Sequence, residues 1–558
     1  MRVILAACNA KYIHSNLAVY NLRACLRQVG AEVILREYTI NQRKDEILRD
    51  LYECRADLLC VSCYIWNISF LKEILEDYGK ICPTVPVWAG GPEVTYDSLV
   101  FLKENPWIAG VMRGEGEQTI SELVQCYMDH TVSKGEILGI TWRDSRGELH
   151  ENPDRPVMDL SQVPFAYEEL TDFEHRIIYY ESSRGCPFSC SYCLSSVDKK
   201  LRFRSLELVC KELQFFLDRK VPQVKFVDRT FNCRHEHAMA IWKYILEHDN
   251  GITNFHFEIA ADLMREKELE LISKMRPGLI QLEIGVQSTN PETILEIRRV
   301  MDFKKVTKVV RKVQKMENTH QHLDLIAGLP KEDFQSFRHS FHEVYELRPE
   351  QLQLGFLKVL KGSYMAAKTE DYGCVYQAKE PYEVLRTKWL SYGEILRLKR
   401  VESMVEVYYN SGQFTKTLPV MERYFSHPFD FYDQLGEFYE KRGYASVSHS
   451  RLRRYEILLE FLLTVPEGDQ KALKEAMIVD LYLRENLKSR PVWADDQRKY
   501  EREIWAYRKA YKVPKTAHVE VFPDGRALLF DYQQRNPLTR NAKVTEVELW
   551  QQNEPKKF

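Results

Sequence analysis

Two successive series of short apolar runs, each run followed by an amphipathic stretch, constrain this chain more than any other feature of its sequence. In the first series, runs at 3–7, 32–36, 57–64, 85–89 and 108–112 alternate with helical patterns such as 118–128. Such alternation predicts a parallel sheet with helices on both faces, whose ligands bind beyond the carboxyl ends of the strands. The second series has candidate strands at 177–182, 223–227, 254–259, 279–286, 322–326 and 351–358. Six such units predict a partial barrel with its chemistry at the strand C-terminal ends. Beyond 380 the pattern changes to long aromatic-rich helices at 383–409 and 421–439, then to a hairpin joining 518–522 to 527–532 across Pro523-Asp524-Gly525-Arg526. The expected fold class is α/β. It comprises a doubly wound, Rossmann-like parallel-sheet domain over 1–145, a polar linker over 146–171 and a partial (β/α)6 TIM-type barrel over 172–400. A mainly helical C-terminal domain with a terminal β-hairpin occupies 415–558.

A chain of 558 residues is too long for one hydrophobic core, which agrees with several domains. Its 79 basic and 81 acidic residues leave a net charge of −2, which argues against a general binder of nucleic acid or anionic membrane. The opening MRVILAACNAKYIH has too short an apolar run for a signal peptide, and no run reaches the roughly 20 apolar residues of a membrane span. These features predict a cytoplasmic protein with reduced thiols. Its 13 cysteines then read as buried thiols plus a metal site, not as a disulfide framework.

One cysteine cluster stands out. Arg184-Gly-Cys-Pro-Phe-Ser-Cys-Ser-Tyr-Cys193 directly follows a predicted strand, with thiols at Cys186, Cys190 and Cys193. Three thiolates on one loop can hold three irons of a cubane cluster and leave the fourth iron without a protein ligand. A zinc site would need a fourth nearby ligand, but the next cysteine is Cys210 and His175 lies before the strand.

This motif, with Tyr192 before its last cysteine, resembles the radical S-adenosylmethionine (radical SAM) superfamily. The resemblance implies a [4Fe-4S] cluster on Cys186, Cys190 and Cys193, an open iron that binds S-adenosylmethionine, and an external one-electron reductant of flavodoxin or ferredoxin type. It also implies contacts to S-adenosylmethionine from Tyr192 and from the strand ends, with Asp228, Glu258, Gly285 and Gln287 as candidates. Carboxylates can accept from ribose hydroxyls, and an amide can both donate and accept.

The first domain carries three distinctive loops at its strand ends: Val61-Ser-Cys-Tyr64, Ala89-Gly-Gly-Pro-Glu93 and Arg113-Gly-Glu-Gly-Glu117. Their order resembles that in cobalamin-binding radical SAM proteins, and the resemblance covers roughly residues 1–400. It implies a cobalamin site with Ser62, Gly90, Gly91, Glu93, Gly114 and Glu115 as candidates. A dinucleotide site would place its glycine fingerprint in the first strand-to-helix turn, which here reads Cys8-Asn-Ala-Lys-Tyr-Ile-His-Ser-Asn16 without a glycine. The Asp-x-His-x-x-Gly motif that supplies a histidine to cobalt in many cobalamin proteins is absent. Lys11, His14 and Asn16 remain candidates for contact with the corrin edge or substrate. Ser15 or Asn16 can instead cap the following helix.

Residues 488–515 interleave basic residues with Trp493, Tyr500, Trp505, Tyr507 and Tyr511, a composition that can bind single-stranded nucleic acid. The helical spacing of Tyr500, Ile504, Tyr507 and Tyr511 favours a buried helix face instead, so nucleic acid is the disfavoured partner. The resemblance implies methylation of an unactivated carbon as the commonest outcome. Its alternatives are a radical rearrangement, cyclisation or oxidation, an RNA-modifying enzyme, or a non-catalytic metal-cluster scaffold or sensor.

Overall fold

The computed structural model describes residues 1–129 and 132–549. Its first sheet is built around β1 (Arg2–Asn9), which is buried along nearly its whole length. β1 pairs in parallel with β2 (Glu32–Thr39) and β3 (Leu58–Ser62), and β4 (Val87–Gly90) and β5 (Gly110–Met112) continue the parallel set. Successive side chains divide between two cores: Val3, Leu5, Cys60 and Trp88 on one face, Ile4, Leu59, Val61 and Ala89 on the other. Burial on both faces explains why these strands read as continuous apolar runs. The strand order reverses between β1 and β3, the place where open sheets of this type bind ligands. Two antiparallel strands, β6 (Ile140–Arg143) and β7 (Leu149–Glu151), extend the sheet past the expected boundary at 145. β7 is short and mostly exposed, so it leaves no apolar signal in the sequence.

The second body starts at β8 (Ile178–Tyr180). A small antiparallel pair, β9 (Ser183–Arg184) and β10 (Arg202–Phe203), brackets the cysteine loop. β11 (Gln223–Phe226), β12 (Asn254–Ile259), β13 (Ile280–Gln287), β14 (His320–Ala327) and β15 (Gln351–Phe356) join β8 in a six-stranded sheet. All of its pairs are parallel, and β8 and β15 form its two edges, which gives the expected partial barrel. β13 shows the rule of the sheet. Ile280, Leu282, Ile284 and Val286 are buried, while Gln281, Glu283, Gly285 and Gln287 on the alternate face are only partly covered.

Further on, β16 (Val375–Tyr376) and β17 (Val384–Arg386) form a short antiparallel pair. The helix expected from 383 therefore begins only at Tyr392, where Ser391 and Glu394 form a capping box. The helix expected over 421–439 is two, Thr417–Glu422 and Pro428–Lys441, because Pro428 opens a new first turn. The terminal hairpin is present as β18 (His518–Val521) and β19 (Ala527–Arg535), with β20 (Ala542–Val547) as a third strand whose polar sequence gave no signal. The helix Glu501–Ala510 contradicts the expected buried face, since none of its residues is buried. Its aromatic spacing is satisfied on the surface, where Tyr507 packs on Tyr511 and Lys509 lies over Trp505. Among the described residues, no helix is long and apolar enough to cross a membrane.

The turn after β4 is the tightest point of the first domain. Gly91 has φ +111°, and a Cβ there would lie 2.4 Å from the carbonyl oxygen of Cys63. Gly91→Ala is expected to destabilise the protein by about 1–3 kcal/mol in urea unfolding, from backbone strain and displacement of the neighbouring strand end.

Candidate cofactor site at the domain junction

The cysteine loop is fixed at several points by backbone contacts. Gly185, with φ +92°, turns the chain where a Cβ would lie 2.8 Å from Lys200 O. Ser191 N donates to Ile297 O at 2.9 Å, Ser191 O accepts from Met365 N at 2.8 Å, and Cys193 N donates to Cys190 O at 3.2 Å. Cys186 and Cys190 are buried and Cys193 is half-buried.

The side chains around this loop are only partly those expected. Tyr192 OH lies 3.5 Å from Arg299 Nη1, which also approaches Cys190 Sγ at 3.7 Å; Arg299 Nη2 donates to Gly285 O. Arg299 thus bridges the cysteine loop and the end of β13. Burial pushes the Cys190 thiol up, and the Arg299 guanidinium opposes that shift, favouring the thiolate. Gln287 follows at the strand end with φ +73°, and its buried Oε1 has no hydrogen-bond partner. A strained residue presenting an unpaired acceptor is a ready contact for a ligand. Gly285 leaves the room that Gln287 occupies, since a Cβ there would lie 2.4 Å from Gln287 Nε2.

The two acidic candidates differ. Asp228 is fully buried, and both its oxygens are taken: Oδ1 accepts from Ser182 N at 2.9 Å, and Oδ2 from the hydroxyls of Ser182 and Ser183 at 2.6 and 2.5 Å. Burial raises its pKa to about 7 against the opposing serine hydrogen bonds. The structure therefore makes Asp228 an anchor for the strand that leads into the cysteine loop, not an open ribose acceptor. Glu258 points into the barrel, and burial lifts it to about 7, with Arg229 opposing the shift.

In the first domain the three loops leave neighbouring parallel strands, with Ser62 paired to Gly90 and Gly90 to Met112. Ser62 Oγ accepts from Asn16 Nδ2 at 3.0 Å, which leaves the serine proton free to donate. Gly114, with φ +72°, has no atom within 4 Å of where a Cβ would stand. Tyr12, Trp66 and Tyr96 are exposed around these loops, and Trp66 stacks on Tyr64 at 4.4 Å. Paired strand-end glycines, a free hydroxyl and exposed aromatics fit a large flat cofactor with a polar tail. Asn16 also caps the helix Leu17–Leu26 through Val19 N, and His14 Nδ1 lies 2.7 Å from Tyr179 OH of the barrel.

Glu93 and Glu115, expected as cofactor contacts, are engaged elsewhere. Glu93 is buried and accepts from Tyr382 OH at 3.0 Å. Glu115 Oε1 accepts from Arg184 Nη1 at 3.0 Å and from Arg202 Nη2 at 2.8 Å, and its Oε2 from Met158 N at 2.8 Å. Glu117 accepts from Arg184 Nη2 at 2.6 Å, and Glu181 takes the same guanidinium at 2.8 Å. The Gly-Glu-Gly-Glu loop is therefore bound to the residue two before Cys186. The roles of Arg184, Arg202 and Arg299 are not legible in the sequence, because each has a partner 67 to 109 residues away. Sequence reading passed over Ser182 and Ser183, although they adjoin the motif.

Comparison with known proteins finds three matched regions. Residues 3–124 match the B12 binding domain, 180–344 the radical SAM superfamily, and 370–526 a protein family of unknown function, DUF4080. The chain combines a B12 binding domain with a radical SAM domain. An uncharacterised methyltransferase of Pyrococcus horikoshii is 27% identical to this chain over 263 residues, 45% of this chain and 56% of the relative. The cobalamin-dependent radical SAM methyltransferase TokK of Streptomyces tokunonensis is 25% identical over 357 residues, 58% of this chain and 50% of the relative. The chain thus spans about half the length of these curated relatives. Among solved structures, OxsB, a cobalamin-dependent S-adenosylmethionine radical enzyme, superposes with a TM-score of 0.61 at 15% identity, covering 92% of this chain and 81% of its own. The radical SAM methyltransferase TsrM of Kitasatospora setae gives a TM-score of 0.56 at 18% identity, covering 68% of this chain and 79% of its own. These likenesses establish the shared fold.

Arg184 neutralises carboxylates that are mostly buried, and its guanidinium holds Glu117 below the usual carboxylate range against the opposing effect of burial. Arg184→Gln is expected to cost about 3–5 kcal/mol at pH 7 by leaving buried charge uncompensated. In the wild type, the Glu117 contribution is fully present above the ordinary glutamate pKa and is lost as pH falls through the depressed one. The variant removes that contribution, so the stability gap between the two proteins should narrow below about pH 4.5 in urea unfolding.

Proposed function

We propose that this protein is a cobalamin-dependent radical SAM enzyme that methylates an unactivated carbon of its substrate. The observation that carries the reading is the ion-pair bridge from Glu115 and Glu117 to Arg184, which ties the loop of the B12 binding domain to the loop of the three cysteines. A methyl carrier and a radical generator serve one carbon only when held in fixed relation, and this bridge supplies such a relation.

In this reading Cys186, Cys190 and Cys193 hold a [4Fe-4S] cluster, and Ser62, Gly90, Gly91 and Gly114 line the cobalamin site. Tyr192, Gly285 and Gln287 surround S-adenosylmethionine. Glu93, Glu115 and Asp228 act as positioning residues through Tyr382, Arg184 and Ser182. When bound, the cofactors supply reductive cleavage of S-adenosylmethionine to a 5′-deoxyadenosyl radical and a transferable methyl group. The chain's own work is placement. Arg299 sets the charge beside Cys190, Gln287 presents its free acceptor, and the burial of Cys186 and Cys190 keeps water from a reactive intermediate. The electron comes from an external one-electron donor of flavodoxin or ferredoxin type.

The test is anaerobic reconstitution with iron, sulfide and cobalamin, followed by reduction in the presence of S-adenosylmethionine. The wild type is expected to release 5′-deoxyadenosine, and Cys190→Ala, folded as judged by circular dichroism, none. A substrate product heavier by one methylene supports methylation. An isomeric or dehydrogenated product overturns it in favour of rearrangement, cyclisation or oxidation.

A further inference from the structure

The inward face of the partial barrel carries polar side chains that the strand-end site does not use. Because β11 to β14 run parallel, Lys225 stands beside His256, Glu258 beside Glu283, and Glu283 beside His322, with Asp324 one step further along β14. Barrels of this type ordinarily fill that position with branched apolar residues. Here one ligand atom from each of Glu283, His322 and Asp324 lies within 4.8 Å of the others, the one such cluster of three or more His, Cys, Asp or Glu among the described residues.

The internal contacts of this cluster do not satisfy it. His322 Nε2 stands 2.9 Å from Asp324 Oδ1, and His256 Nε2 stands 2.9 Å from Glu283 Oε2. Both are ion-pair distances, yet neither ring nitrogen, nor Asp324 Oδ1, has a well-directed hydrogen bond, although the His256 and His322 side chains are only 9% and 8% exposed. Such close atoms, not directed at one another, match ligands that share a cation, since bonds of about 2.0–2.1 Å separate their ends by about 2.9 Å at octahedral right angles and about 3.3 Å in a tetrahedron. Charge agrees. The inward-facing strand residues include three carboxylates, Glu258, Glu283 and Asp324, against the single ammonium of Lys225, which holds Glu283 Oε2 at 2.9 Å and fixes its orientation.

We propose that His256, Glu283, His322 and Asp324 form a second metal site in the barrel lumen, for a divalent first-row transition ion of the zinc or ferrous class. Imidazole and carboxylate ligands without a thiol suit such an ion and set the site apart from the cysteine loop. The site lies below Gly285 and Gln287 along the strands, on the inward face of the sheet, where a bound ion would offer coordination to a substrate oxygen. The proposal does not depend on methylation or on cobalamin.

The test uses the full chain with Cys186, Cys190 and Cys193 replaced by alanine, stripped of metal and titrated anaerobically with Co2+. One Co2+ per chain is expected, with visible ligand-field bands, no thiolate-to-cobalt charge transfer, and displacement by Zn2+. His322→Gln and, separately, Asp324→Asn on this background should weaken binding at least about 10-fold, with circular dichroism unchanged. If both variants misfold, the titration of their folded parent decides by its stoichiometry and ligand-field spectrum. No uptake, thiolate bands alone, or unchanged affinity in a folded variant overturns the proposal. Because the readout is metal binding in a chain without the cluster ligands, a failure here leaves the radical chemistry untouched, and a failure of that chemistry leaves this result standing.

Discussion

The junction rests on one guanidinium. Arg184 ends the two-residue strand that leads into the cysteine loop, and it reaches back to Glu115 and Glu117 of the first domain while also holding Glu181 of its own segment. Little of this charge is exposed, so the arrangement holds only while each partner is present. Arg202 adds a second cation from the other strand of the same small pair. The loop that carries the thiols is therefore shaped from both sides of the junction. The B12 binding domain takes part in the geometry of the radical SAM domain and is not simply placed beside it.

A second tie acts at a distance from the first. The loop after β4 buries Glu93 against Tyr382, while Asp97 pairs with Lys361 and Tyr96 packs where Gly362 leaves room. Both ties run from strand ends of the first domain to segments that flank the barrel, so the face that would hold a flat cofactor is oriented toward the barrel mouth. Exposed aromatics border that face, and their apolar surface becomes useful only if something covers it.

Much of this was legible in the sequence because the physics that builds the sheets is periodic. Burial on both faces of β1, β3 and β4 leaves continuous apolar runs, and alternation in β13 leaves an apolar residue at every second position. The cysteine spacing was equally plain, since one loop has to supply all three thiols. What could not be read was pairing across long separations. Nothing in Arg184 or Glu115 announces a partner 69 residues away, and nothing in Asp228 shows that Ser182 and Ser183 consume both its oxygens. The helix Glu501–Ala510 failed for a related reason, because a helical repeat of aromatics does not say whether another element arrives to cover it.

The alternation of β13 also separates two demands that most protein cores must reconcile. Its outward residues hold the helices and carry the stability of the barrel, whereas its inward residues line a space that the sheet leaves open. Substitutions of inward residues leave the apolar contacts of Ile280, Leu282, Ile284 and Val286 in place, though Gly285 and the paired Glu283 are held by their neighbours. A scaffold divided in this way can change what it accepts, one inward position at a time, while the cysteine loop and its anchors stay as they are. Diversity of substrate is then inexpensive in folding terms, and it concentrates where the strands offer alternate residues to the lumen.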